Sequence, residues 1–140
     1  MDERAPVQKA ARLAGIAFLL VGIAGFVPGL TTNLYDGLDF AGSGGEAELL
    51  GVFGVSVLHN IVHALFGVGI FMAATPAGAR RFLIGGGAIY LVLFLLGIAG
   101  GADWVPADNA DDWLHLALGV GLLGLGFGLT RDLDRRPAAA

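Results

Sequence analysis

The sequence predicts an all-α membrane protein: a four-helix transmembrane bundle, one domain over residues 1–140, made of two parallel-related helical hairpins that repeat. Three observations lead there. Of the 140 residues, 56% are hydrophobic, Gly adds 24 more and only 14% are charged, with a mean hydropathy of +0.76. A soluble domain averages about 25% charged residues, so this chain has too little polar surface to cover a globule in water. Four apolar stretches, at residues 11–27, 50–74, 82–100 and 113–129, approach or exceed the about 20 residues a helix needs to cross a bilayer. Finally, every Lys and Arg lies before or at the very start of the first stretch, between the second and third, or after the fourth.

The first span opens on the basic residues Arg4, Lys9 and Arg12 and stops at Pro28-Gly29, which cannot continue a helix. A cleavable signal peptide is the rival reading, because small residues at Gly22-Ile23-Ala24 follow a basic start. Leu34, Tyr35, Leu38 and Phe40 would lay the loop from Thr31 to Gly42 on the outer interface. Ser43-Gly44-Gly45-Glu46 reads as a capping box opening the second helix. Thr75-Pro76 reads as N-cap and first residue of the third helix, closing a tight hairpin. Asp108 and Asp111, just past Pro106, suit the positive end of the fourth helix. Trp104, Trp113 and Tyr35 fall where an interfacial aromatic belt belongs.

Charge then orients the chain. Eight basic residues, with Asp2, Glu3, Asp132 and Asp134, give one side +4; the other side carries eight acids and no base, giving −8. The positive-inside rule places both termini in the cytoplasm, with multi-pass insertion in the plasma membrane. The total of −4 speaks against a nucleic-acid partner. The absence of Cys excludes disulfides, a thiol nucleophile and thiolate-held clusters.

An internal repeat supports two hairpins. His63-Ala64-Leu65-Phe66-Gly67-Val68-Gly69 recurs 52 residues later as His115-Leu116-Ala117-Leu118-Gly119-Val120-Gly121. Phe18-Leu19-Leu20-Val21-Gly22-Ile23-Ala24-Gly25 is echoed by Phe94-Leu95-Leu96-Gly97-Ile98-Ala99-Gly100, and Val-Pro follows each. The axis relating the hairpins would run along the membrane normal.

Four segments carry a family resemblance: Gly25-Phe26-Val27-Pro28-Gly29-Leu30-Thr31-Thr32-Asn33, Ser56-Val57-Leu58-His59-Asn60-Ile61-Val62-His63, Phe82-Leu83-Ile84-Gly85-Gly86-Gly87 with Ile89-Tyr90-Leu91-Val92-Leu93, and Asn109-Ala110-Asp111-Asp112-Trp113-Leu114-His115. In these the chain resembles the domain of unknown function 4383 family of small, four-span bacterial membrane proteins, largely actinobacterial. The resemblance implies that architecture and no activity.

Polar residues inside spans mark function or helix association. Ser56, His59, Asn60 and His63 lie on one side of span two, Tyr90 lies within span three, and Asp111, Asp112 and His115 open span four. The plainest reading is a hydrogen-bonded packing network. His59, His63 and His115, with Asp112, could instead hold a metal ion, since His at i, i+4 is a common ligand spacing. A span-two His paired with His115 could also hold haem b, with Gly67 and Gly119 making room for the macrocycle. Gly25/Gly29, Gly97/Gly101 and Gly124/Gly128 offer small-xxx-small contacts, within the chain or in a homo-oligomer. The expectation is a non-enzymatic accessory or partner-binding subunit, in the lipid bilayer, without a cofactor. The alternative is an outer-leaflet His site for a metal ion or haem b.

Overall fold

A computed structural model describes residues 4–42, 44–100, 104 and 109–130. The chain is mostly helical. Helix α1 (Pro6–Ala24) leads into strand β1 (Thr31–Thr32), the single turn α2 (Leu34–Gly37), and strands β2 (Glu48–Leu49) and β3 (Phe53–Gly54). Helix α3 (Val57–Phe66) and the short α4 (Gly69–Met72) follow. The chain then runs through α5 (Pro76–Ile98) and α6 (Asn109–Gly128). Among the described residues two helices, α1 and α5, are long and apolar enough to cross a membrane.

The helix starts follow from capping. Thr75 accepts from the Gly78 N–H at 3.0 Å and Pro76 is the first residue of α5, as the sequence suggests. The second helix differs from expectation. It begins at Val57 rather than near Leu50, and its N-cap is Ser56, whose Oγ accepts from His59 N at 3.2 Å. The Val57 and Leu58 amides donate to the Asp39 and Phe40 carbonyls at 3.0 and 2.9 Å. Those bonds satisfy donors that a helix start would otherwise leave bare. Residues 44–47 form no helix start, so the capping box is corrected; Ser43 itself lies outside the described residues.

In place of that helical turn the chain forms a small antiparallel sheet, ordered β1-β2-β3. Thr31 pairs with Leu49, and Leu49 in turn with Phe53. The β2–β3 turn carries Leu50 and Gly51 at φ +55° and +66°. Ala47, Leu49 and Val55 form a small core beneath the sheet. Thr31 Oγ1 donates to the Ala24 carbonyl at 3.1 Å and fastens β1 to the end of α1. The first helix therefore stops at Ala24, short of Pro28.

The main core gathers Val7, Ala11, Phe18, Ala73, Phe82, Leu83, Tyr90 and Leu122 from α1, α5, α6 and the α4–α5 turn. Helix α1 lies against α3, α4 and α5, and α5 against α6. Glycine permits two of these approaches. A Cβ on Gly22 would stand 2.6 Å from the Asn60 carbonyl oxygen, and one on Gly87 2.9 Å from the Gly119 carbonyl oxygen. Of the three sequence pairs of small residues, Gly25/Gly29 and Gly124/Gly128 do not act as pairs in these contacts. Gly29, Gly124 and Gly128 face open space, and Gly101 lies outside the described residues.

The two ends of the molecule differ in charge. Gln8 Nε2 donates to the Ala73 and Ala74 carbonyls, both at 3.0 Å, which brings the start of α1 beside the α4–α5 turn. Arg4, Lys9, Arg12, Arg80 and Arg81 thus share one end. Asp36, Asp39, Glu46 and Glu48 belong to the sheet end, which the Gly42 amide ties to the Trp104 carbonyl at 3.1 Å. Asp108 and the basic residues from Arg131 onward lie outside the described residues.

Candidate functional site

Helices α3, α5 and α6 each send one buried polar ring to a common point. His63 is the second-turn residue of α3, Tyr90 sits mid-way along α5, and His115 is in the second turn of α6; all three are buried. The Tyr90 hydroxyl lies 3.4 Å from His63 Nε2. That is a long contact, since strong hydrogen bonds of this kind are about 2.7–3.0 Å. On its other side the Tyr90 ring meets the His115 ring, centroids 5.3 Å apart. Phe18 from α1 stacks on Tyr90 at 5.4 Å and 7°, and meets His63 edge-on at 5.8 Å. Aromatic packing from three sides therefore fixes the tyrosine.

The remaining predicted residues divide into two groups. His59 packs on His63 with centroids 4.5 Å apart. Asp111 is buried one turn before His115, with Oδ2 3.8 Å from His115 Nε2. These belong to the cluster. Ser56 caps α3. Asn60 faces α1, its side chain filling the place where a Gly25 side chain would stand, and the Asp112 carboxylate fills the corresponding place at Gly97. Ser56, Asn60 and Asp112 thus serve helix starts and helix contacts.

A cavity of about 250 Å³ opens beside the cluster, between α3 and α5. His59, His63, Tyr90 and His115 supply its polar lining. Leu58, Val62, Phe66, Ile89, Leu93 and Trp104 supply apolar walls. His63 Nδ1, which is buried, has no hydrogen-bond partner among the described residues, and neither does Asn60 Nδ2. Buried polar atoms are seldom left unmatched, so each such atom asks for an explanation.

The arrangement bears on the ligand sets read from sequence. His59 and His63 are neighbours, but His115 is reached across Tyr90, and Asp112 is turned to Gly97. Among the described residues no three His, Asp or Glu side chains gather as metal ligands. The space expected for haem is also filled. A Gly67 side chain would meet Leu19, a Gly119 side chain would meet Leu91, and Tyr90 occupies the interval between His63 and His115. The haem set does not fit this geometry.

Gln8 and Thr130 are buried polar residues that sequence reasoning passed over. Thr130 Oγ1 donates to the Gly126 carbonyl at 2.6 Å, closing the last turn of α6. The one signal in the sequence is Gln8, three residues after Ala5 and just past Pro6, where its Oε1 accepts the Ala5 amide at 3.0 Å.

Comparison with known proteins returns one family. The family model described as Domain of unknown function (DUF4383) matches residues 8–128. No curated protein matches the chain. No solved structure matches it either.

Proposed function

The chain belongs to the DUF4383 family, and we propose that it is a four-span integral protein of the plasma membrane, with cytoplasmic termini, acting as a non-enzymatic accessory subunit that binds partners. The observation that carries this reading is an inverted distribution of polarity. Large apolar side chains stand exposed on every long helix: Leu13 and Leu20 on α1, Leu65 on α3, Val92 and Leu95 on α5, Trp113 and Val120 on α6. The polar residues Gln8, Asn60, His63, Tyr90, Asp111 and His115 are buried instead. A helix surface of this kind suits lipid, where exposed apolar groups cost nothing and polar ones do. The pattern extends to α3–α4 and α6, which are shorter or less apolar than α1 and α5.

The two-hairpin repeat belongs to this reading and has geometric support. With the 52-residue offset, His59 matches Asp111, Asn60 matches Asp112 and His63 matches His115. Asn60 packs on Gly22 and Gly25 of the preceding helix; Asp112 packs on Gly97, the echo of Gly22. His63 and His115 flank the same tyrosine. Tyr90 itself has no polar counterpart in the first hairpin, so the cluster is unequal by one ring.

Partner binding is supported by one face of α6. Gly121, Gly124 and Gly128 have nothing within 4 Å of where a side chain would begin. Small residues on a lipid-facing helix let a second helix approach closely.

Single-cysteine labelling tests topology without background, because the chain has no Cys. Asp36→Cys should react with a membrane-impermeant maleimide in intact cells, and Ala77→Cys only after permeabilisation. The reverse pattern overturns the orientation, and extraction of the protein without detergent overturns the membrane reading. For partner binding, Gly121→Ile with Gly124→Ile should lower the native mass of the detergent-solubilised assembly and leave the melting temperature near wild type. An unchanged mass rejects that face.

A further inference from the structure

The cavity beside His63 has apolar walls and, among the described residues, no Lys, Arg, Asp or Glu in its lining, and His63 itself carries a buried Nδ1 with no hydrogen-bond partner among those residues. We infer that it binds an uncharged, lipid-soluble ring compound bearing a hydrogen-bonding oxygen, of the benzoquinone–quinol class, drawn from the bilayer and held by His63. The inference rests on the membrane reading above and adds a ligand to it.

Charge comes first. Among the described residues the lining contains no Lys, Arg, Asp or Glu. An anion would lack a countercharge there, and so would a cation, in a setting where an unpaired charge is prohibitively costly. Size comes next. An apolar cavity of about 150 Å³ accommodates benzene, so about 250 Å³ suits one substituted ring. Phe66, Tyr90 and Trp104 offer aromatic faces against which a ring packs.

The polar groups then choose the substituent. Among the described residues His63 Nδ1 is buried without a partner, and its Nε2 has the long 3.4 Å contact with Tyr90. An imidazole nitrogen donates or accepts according to tautomer. One tautomer of His63 would give a hydrogen bond to a ring carbonyl, and the other would accept one from a ring hydroxyl. The same residue therefore suits a quinone and its quinol. Ile89 and Trp104, both half exposed at 50% and 54%, lie at the edge of the cavity, where a ligand enters from lipid. His63 lies seven residues into the helix from Ser56, about 10 Å at 1.5 Å per residue, so the ring would sit in the leaflet on the acidic side.

The protein contains two Trp, and only Trp104 lines the cavity. In a Trp113→Phe background Trp104 becomes the single fluorescent reporter. With no Cys present, a quinone cannot add to a thiol. Titrating decyl-benzoquinone into the full chain in detergent should quench Trp104 saturably. His63→Ala should weaken the apparent affinity at least tenfold. Val62→Phe, which fills the cavity and leaves the polar groups intact, should do the same if His63→Ala fails to fold. Decanol should not displace the quinone, and tail-less benzoquinone should bind more weakly than the decyl form. Quenching that is linear and equal in all variants overturns the proposal, as does equal displacement by decanol. Equal binding of the tail-less ring overturns the bilayer source. Correct cysteine labelling with no saturable quenching rejects the ligand alone, whereas failure of the labelling pattern rejects the membrane reading.

Discussion

Gln8 does at residue scale what a loop would otherwise have to do. Its amide donates to two carbonyls at the end of α4, 65 and 66 residues away, in a buried position. Leaving buried acceptors unmatched costs about 1–3 kcal/mol. Gln8→Ala is therefore expected to destabilise the protein by about that amount, read as a lowered midpoint in detergent unfolding. A change within error would mean water replaces the amide. The glycines divide just as sharply. Gly22→Ala forces a methyl against the Asn60 and Ala64 backbone, and overpacking of this kind costs about 1–3 kcal/mol. Gly124→Ala enters open space and should be neutral, or stabilising by up to about 1 kcal/mol through helix propensity. Thermal unfolding of both variants checks the pair, and similar losses would mean that α6 is covered where it now looks open. Neither distinction was legible in the chain. Both glycines lie in apolar helix between large aliphatic residues, Val21 and Ile23 or Leu123 and Leu125, and the neighbour's position separates them.

At the scale of elements, what could be read from the sequence was what local chemistry decides. Pro76 after Thr75 fixes the start of α5, because Thr at N-cap and Pro at N1 both act within one turn. The start of α3 is decided by distant partners. Its first two amides bond carbonyls of Asp39 and Phe40, some 18 residues back, and so the apolar run from Leu50 is free to become a hairpin. Hydropathy does not tell an apolar strand from an apolar helix over so few residues. The hairpin also contains a strained residue. Leu50 is exposed and takes φ +55°, where a side chain costs roughly 1–2 kcal/mol. Leu50→Gly should raise stability by up to about 1 kcal/mol, because Gly adopts this backbone freely although it loses more entropy on folding. A drop in the unfolding midpoint would show that the Leu50 side chain anchors the sheet at the lipid interface. The candidate site was legible as a list of polar residues and illegible as a geometry. Helical spacing put His59 beside His63, but only tertiary packing decides that Asp111 faces the cluster while Asp112 turns to Gly97.

The whole molecule argues about the fate of its first helix. By sequence α1 reads as a span, with a removable leader as the rival reading, since both begin basic and continue apolar. Its contacts separate the two. Val7, Ala11 and Phe18 belong to the main core, and Phe18 stacks on the tyrosine of the candidate site. Gly22 and Gly25 seat Asn60, and Gln8 holds the turn at the basic end. Removing residues 1–24 would strip one wall from α3 and, on the membrane reading proposed above, bare polar Asn60 and His63 to lipid. Buried polar groups in a bilayer are expensive to expose. The protein purified from membranes is thus expected to retain α1. Intact-mass measurement is the check: a species beginning after Ala24 would mean that the packing of α1 is lost in the mature protein. Retention has a second consequence. Deleting residues 1–24 by design should leave α5 and α6 paired through Gly87 and Gly119 while α3 loses its seat. Proteolysis should then cut within Val57–Phe66 before Pro76–Ile98. Equal protection of the two helices would show that α3 is held by lipid alone and that α1 is not what orders the site.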